Sequence, residues 1–154
     1  MSRLEVTVSG SVQAAADRVY DAIEDIQNIP RRDQAVQKIE FLSQQKRGAG
    51  TRFRETRSMG KRTVVTELEV TEAVAGESVR FVSDAGGTIW DTVYTCRPEG
   101  SDGSSTWLEI AMEARPYKLL PKLMSRFVLP MVRKGMKQHL EELKTYCESR
   151  AEEA

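Results

Sequence analysis

Apolar and polar residues alternate through Leu4, Glu5, Val6, Thr7, Val8 and Ser9, the period of two that predicts a half-buried strand. From Gln13 to Ile26 the period changes. Ala16, Val19, Tyr20, Ile23 and Ile26 recur at spacings of three and four, which predicts an amphipathic helix with Ser11 available as its N-cap. Pro30 interrupts the pattern, so a second short helix or turn over Ile29 to Gln34 is expected to lead into a strand around Val36 to Leu42. Beyond it the period is two for about seventy residues.

Short turns in that stretch fix which residues face each other. A two-residue turn at Gly60-Lys61 pairs Arg57 with Val64, Glu55 with Thr66, Phe53 with Leu68 and Thr51 with Val70 on one face. The other face then pairs Arg54 with Glu67 and Arg52 with Glu69, so opposite charges meet twice; a slip of one residue would destroy both patterns. The Gly86-Gly87 turn sets Phe81 opposite Thr92, Val79 opposite Tyr94 and Ser83 opposite Trp90, with Arg80, Val82, Asp91 and Val93 outward. A third hairpin, with a loop from Pro98 to Ser105, brings Leu108, Ile110 and Met112 inward and Trp107, Glu109 and Glu113 outward.

After Pro116 the helical period returns and runs almost to the end. Leu120, Leu123, Met124, Phe127 and Val128 form one stripe, expected to face the sheet, with Lys118, Lys122 and Arg126 at four-residue steps opposite. Pro130 removes a helical hydrogen bond and is expected to bend the axis. Met131, Val132, Gly135, Met136, His139, Leu140, Leu143 and Cys147 continue on a rotated face, where Gly135 is expected to permit close approach to the sheet.

Composition narrows the function. With 154 residues the chain fits one domain over 1–154, and 23 basic residues balance 23 acidic ones, so no global field points to nucleic acid. Cys96 and Cys147 lie far apart without a CxxC spacing and read as free thiols of a cytoplasmic protein. No apolar run is long enough to span a bilayer. His139 is the only histidine, which excludes a multi-histidine metal site, and its place on the inner helix face favours a structural role. Walker, GxGxxG and HExxH motifs are missing, so no cofactor or metal is expected. Residues 115–140 carry seven basic side chains and no acidic one, a pattern that can dock on anionic lipid through Lys118, Lys122 and Arg126.

The order strand, two helices, six antiparallel strands and one long helix resembles the START-like or SRPBCC superfamily, which includes Bet v allergen-like proteins. More narrowly, it is similar to the polyketide cyclase/dehydrase and lipid-transport branch. The stretches SVQAAADRVYDAIEDIQNIPRRDQAVQKIEFL, GAGTRFRETRSMG, ELEVTEAVAGESVRFVS and LLPKLMSRFVLPMVRKGMKQHLEELKTYCE carry the likeness, across nearly the whole chain. The resemblance implies an α+β helix-grip fold, a curved antiparallel sheet of about seven strands in the order β-α-α-β×6-α wrapped around the C-terminal helix. In one place the chain departs from it: where many relatives have a tryptophan soon after the proline of the second helix, it reads Pro30, Arg31, Arg32, Asp33, which leaves an aromatic lid at that end without its residue.

Within that fold the inward residues become a ligand lining: Phe53, Glu55, Arg57, Thr66, Leu68, Phe81, Trp90, Thr92, Tyr94, Ile110 and Met112 from the strands, closed by Met124, Phe127 and Met131 from the helix. An ordinary packed core has the same pattern. Glu55 and Arg57 stand out, because charges on a concave face must pair with each other or reach solvent at the mouth. The first reading is therefore a non-catalytic module that binds or carries a lipid, isoprenoid, quinone or aromatic polyketide. In a second, a polyketide cyclase or dehydrase, Glu55, Arg57 or Tyr94 moves protons. A third is a membrane-associated or protein-interaction accessory domain.

Overall fold

A computed structural model describes residues 3–153. Strand β1 (Leu4–Val12) is followed by α1 (Ala16–Glu24), a single 3-10 turn at Ile26–Asn28, and the short α2 (Ile29–Arg32). Six strands follow: β2 (Val36–Phe41), β3 (Arg52–Met59), β4 (Arg62–Val74), β5 (Ser78–Ala85), β6 (Thr88–Glu99) and β7 (Ser105–Pro116). The last element is α3 (Leu119–Glu153). The strands form one curved antiparallel sheet in the order β1-β7-β6-β5-β4-β3-β2, so β1 crosses back to pair with β7 and every other neighbour is a hairpin partner. Register shifts between Val36 and Lys38 and between Val70 and Glu72 are bulges, the local device by which a sheet bends.

Both hairpin registers read from sequence are present: Glu55 faces Thr66 and Phe53 faces Leu68, while Phe81 faces Thr92 and Val79 faces Tyr94. The predicted charge pairs on the outer face also form. Arg54 reaches Glu67 at 2.9 Å and Arg52 reaches Glu69 at 3.9 Å. Asp91, buried on that face, accepts from Arg80 at 2.6 Å and from Arg115 at 3.2 Å.

Several local expectations are corrected. β1 continues through Val12, so Ser11 lies in the strand and donates to the Glu99 carboxylate at 3.0 Å; α1 starts at Ala16, and its N-cap position, Ala15, makes no side-chain cap. β6 and β7 stay paired out to Glu99 and Ser105, which leaves only Gly100–Ser104 as the loop. Pairing continues there through residues with no apolar signal, because backbone hydrogen bonds need none.

α3 runs unbroken through Pro130 and lies mainly over β1 and β7. Both ends are tied down. At its start, the Tyr117 and Lys118 amides donate to the Gly87 carbonyl at 2.9 and 3.2 Å, and the Tyr117 hydroxyl donates to Asp84 at 2.8 Å. Gly87 has φ of +86°, a conformation its missing Cβ permits. Near the far end, Glu148 accepts from the Gln13 amide at 2.8 Å. The C-terminal half of the helix closes the core: Met136, Leu140, Leu143 and Cys147 pack with Val19, Ile23 and Ile26 of the α1 region and with Val8, Val12, Leu108 and Ile110 of the sheet. Close approach occurs at Gly10, where an added Cβ would lie 3.6 Å from Leu140; Gly135 is exposed with nothing near it.

The N-terminal half is the larger correction. Leu119, Leu120, Leu123, Met124, Phe127 and Met131 are exposed, Phe127 by 77%, so this stripe does not face the sheet. Of the predicted stripe only Val128 makes that contact, joined by Leu129 and Val132, against Leu4, Val6, Trp90, Met112 and Ala114, around a residual gap of only about 10 Å³. Helical spacing shows that a helix has an apolar face, but not what covers it.

Candidate functional site: a polar cluster on the concave face

Strand alternation turns Phe53, Glu55 and Arg57 of β3 to the same side as Phe81 of β5 and Tyr94 of β6. Their rings form an edge-to-face series. The centroids of Phe53 and Phe81 are 6.2 Å apart, those of Phe81 and Tyr94 5.5 Å, and those of Tyr94 and His139 of α3 5.9 Å. The series leads from the buried hairpin to a set of charges.

At its end the Tyr94 hydroxyl lies 2.8 Å from His139 Nε2, and the other ring nitrogen, Nδ1, is 3.6 Å from Asp33 Oδ2. Asp33 follows directly on α2. The same carboxylate oxygen accepts from Arg57 Nη2 at 2.9 Å, and Arg57 Nε donates to Glu55 Oε1 at 2.8 Å. Asp33 is buried, Glu55, Arg57, Tyr94 and His139 are half-buried, and the cluster draws on α2, β3, β6 and α3. Arg32 is buried beside it; its Nη2 donates weakly to the Ile23 carbonyl at 3.4 Å, and its Nε has no partner.

Burial and these contacts shift the protonation equilibria of Asp33 and Tyr94, and, against burial, the Glu55 and Asp33 carboxylates hold the Arg57 guanidinium protonated. Burial alone would raise the Asp33 pKa, but the neighbouring His139 and the Arg57 guanidinium outweigh it and hold the carboxyl well below the usual range. Burial pushes the Tyr94 phenol up to about 12, so the hydroxyl keeps its proton at physiological pH. A carboxyl whose folded pKa is depressed contributes stability that is complete above its unfolded pKa, about 3.9, and is lost as pH falls toward the folded value. Thermal melts below about pH 4 should therefore show a falling midpoint, and Asp33→Asn, which lacks this contribution, should show a shallower fall.

Of the residues proposed from sequence as lining, Phe53, Phe81 and Ile110 are buried, while Thr66, Leu68, Trp90, Thr92, Tyr94 and Met112 are half-buried along the concave wall. Met124, Phe127 and Met131 are bare. The expected pairing of Glu55 with Arg57 forms, and Asp33 completes it. Sequence reasoning misses Asp33 and Arg32 and gives His139 only a structural place. The available signal is Arg57 itself, since a concave-face guanidinium with five donors needs more than one carboxylate. Among the described residues no three metal-ligating side chains converge. A separate trough of about 640 Å³ between α1 and the end of α3 is open and lined by five charged residues, Asp17, Arg18, Asp21, Asp25 and Arg150, together with Ala22, Tyr146 and Cys147.

A family model described as polyketide cyclase / dehydrase and lipid transport matches residues 3–148. Solved structures share the architecture. TTHA0849 from Thermus thermophilus superposes with a TM-score of 0.78 at 19% identity, covering 96% of this chain and 99% of that one. Truncated norcoclaurine synthase from Thalictrum flavum gives 0.75 at 15%, covering 94% and 93%. A START superfamily protein from Mycobacterium smegmatis gives 0.71 at 18%, covering 97% of each chain. No curated protein matches the chain in sequence. At these identities the structural likeness establishes the fold.

Proposed function

The chain belongs to the polyketide cyclase/dehydrase and lipid-transport family, and from that premise we propose that it binds or carries a small hydrophobic ligand between the sheet and α3. A lipid, isoprenoid, quinone or aromatic polyketide has the required surface. The observation that carries this reading is the half-buried apolar wall of Leu68, Trp90 and Met112 on the concave face, which Val128, Leu129 and Val132 of α3 cover only at Trp90 and Met112. Covering a few such side chains is worth on the order of 5–8 kcal/mol before the costs of association, which sets the affinity from this wall alone at about micromolar or weaker. Cys96 and Cys147 are free and buried, which suits a cytoplasmic setting.

Native mass spectrometry of protein prepared without detergent should show a bound adduct, and the neutral probe N-phenyl-1-naphthylamine should bind saturably. Leu68→Glu, which puts a charge on the wall opposite Phe53, should weaken the probe at least tenfold. No adduct and no saturable binding would overturn the reading.

The exposed Lys118, Lys122 and Arg126 support a second element, transient contact with an anionic bilayer through their side chains. No described helix is long and apolar enough to cross a membrane, so this contact is peripheral. Flotation on phosphatidylcholine vesicles containing phosphatidylserine should fall at least tenfold when the three residues are changed to Glu, at about 1 kcal/mol per basic residue near the surface. Equal flotation of wild type and variant would refute it.

A further inference from the structure

We propose that Tyr94 is the polar recognition point of the groove, accepting from a ligand hydroxyl while His139 is neutral and donating to a ligand carbonyl once His139 is protonated. The inference rests on the ligand-binding reading and adds a ligand class to it: a neutral, oxygen-bearing apolar molecule. Hydrogen-bond bookkeeping carries the argument. The Asp33 carboxylate faces Nδ1, so in the neutral imidazole the hydrogen sits on Nδ1 and Nε2 keeps a lone pair. Nε2 then accepts the Tyr94 O–H across 2.8 Å. The phenol oxygen is left with lone pairs and no hydrogen for the groove, so it satisfies a ligand O–H and not a carbonyl.

Protonation of the imidazole reverses this. Nε2 gains a hydrogen and donates to the phenol oxygen, which frees the Tyr94 hydrogen for an acceptor. The switch lies in His139, because burial keeps the phenol protonated throughout. The charged groups that act on the tyrosine–histidine pair are Arg32 on α2, Asp33 directly after it, and Glu55 and Arg57 on β3. Arg57 is already engaged by two carboxylates, Asp33 and Glu55, and so does not act as a vacant clamp for a ligand carboxylate.

Three probes of one ring system test the inference on the intact protein: naphthalene, 2-naphthol and 2-acetylnaphthalene, titrated near pH 8 and near pH 5. The quantity read is each probe's affinity in wild type relative to Tyr94→Phe, with naphthalene as the reference for an intact groove. Near pH 8 the naphthol should lose about fivefold in the variant and the ketone almost nothing; near pH 5 the ketone should lose about fivefold instead. His139→Gln should bind all three with no change of preference between the two pH values. Naphthalene binding with oxygenated probes indifferent to Tyr94→Phe, or with a preference that does not change with pH, would overturn this inference alone. Failure of all three probes to bind would overturn the ligand-binding reading and this inference with it.

Discussion

Arg57→Met should lower the unfolding free energy by about 2–3 kcal/mol and the thermal midpoint by about 8 °C. Methionine keeps the stem and removes the charge, so the loss reports what the guanidinium does. Arg57 Nη2 and Nε each hold a carboxylate, and Asp33, whose side chain is only 5% exposed, would be left with only the Ala35 amide and His139 beside it. The figure is set below the full cost of breaking a buried pair because Arg57 keeps 35% exposure. Removing both charges should cost less than the sum, so Arg57→Met with Asp33→Asn should recover part of the loss. Chemical denaturation of the four proteins measures this. A single variant within about 0.5 kcal/mol of wild type would mean that the cluster is held by packing rather than by charge.

Phe53→Ala should cost about 3–5 kcal/mol. Phe53 is 1% exposed, sits opposite Leu68 and meets the edge of Phe81, so alanine leaves a cavity that backbone pairing on both sides prevents from closing. Phe53→Leu should cost less than half as much. Neither loss depends on titration, so both should be the same near pH 6 and pH 8, which separates them from changes in the charged cluster. A Phe53→Ala loss below about 1 kcal/mol would place the ring at the margin of the core rather than in its centre.

Much of this architecture is legible from residues alone, because two-residue turns at Gly60-Lys61 and Gly86-Gly87 leave one register that puts charges on one face and rings on the other. Glu55 and Arg57 are legible for the same reason: alternation places them among apolar neighbours. Asp33 is not, since its meeting with Arg57 depends on how the end of α2 folds back across β3, which no local period records. His139 shows as an inner-face residue, but its contact with Tyr94 is fixed only by how α3 crosses β6. The N-terminal half of α3 shows the opposite limit. Periodicity assigns its stripe to the sheet because an intramolecular partner is the usual one, whereas only Val128 of that stripe meets the sheet and the neighbouring Leu129 and Val132 complete the contact.

A ligand between sheet and helix must protect both walls. Hydrogen exchange with and without bound N-phenyl-1-naphthylamine tests this most directly, read over residues 128–139, which carry the sheet-facing Val128, Leu129, Val132 and His139, and over β4 and β6. Slower exchange in the helix segment together with the strands carrying Leu68, Trp90 and Tyr94 is the predicted result. Probe binding that leaves both unchanged, or that protects only the charged trough between α1 and the end of α3, would contradict it.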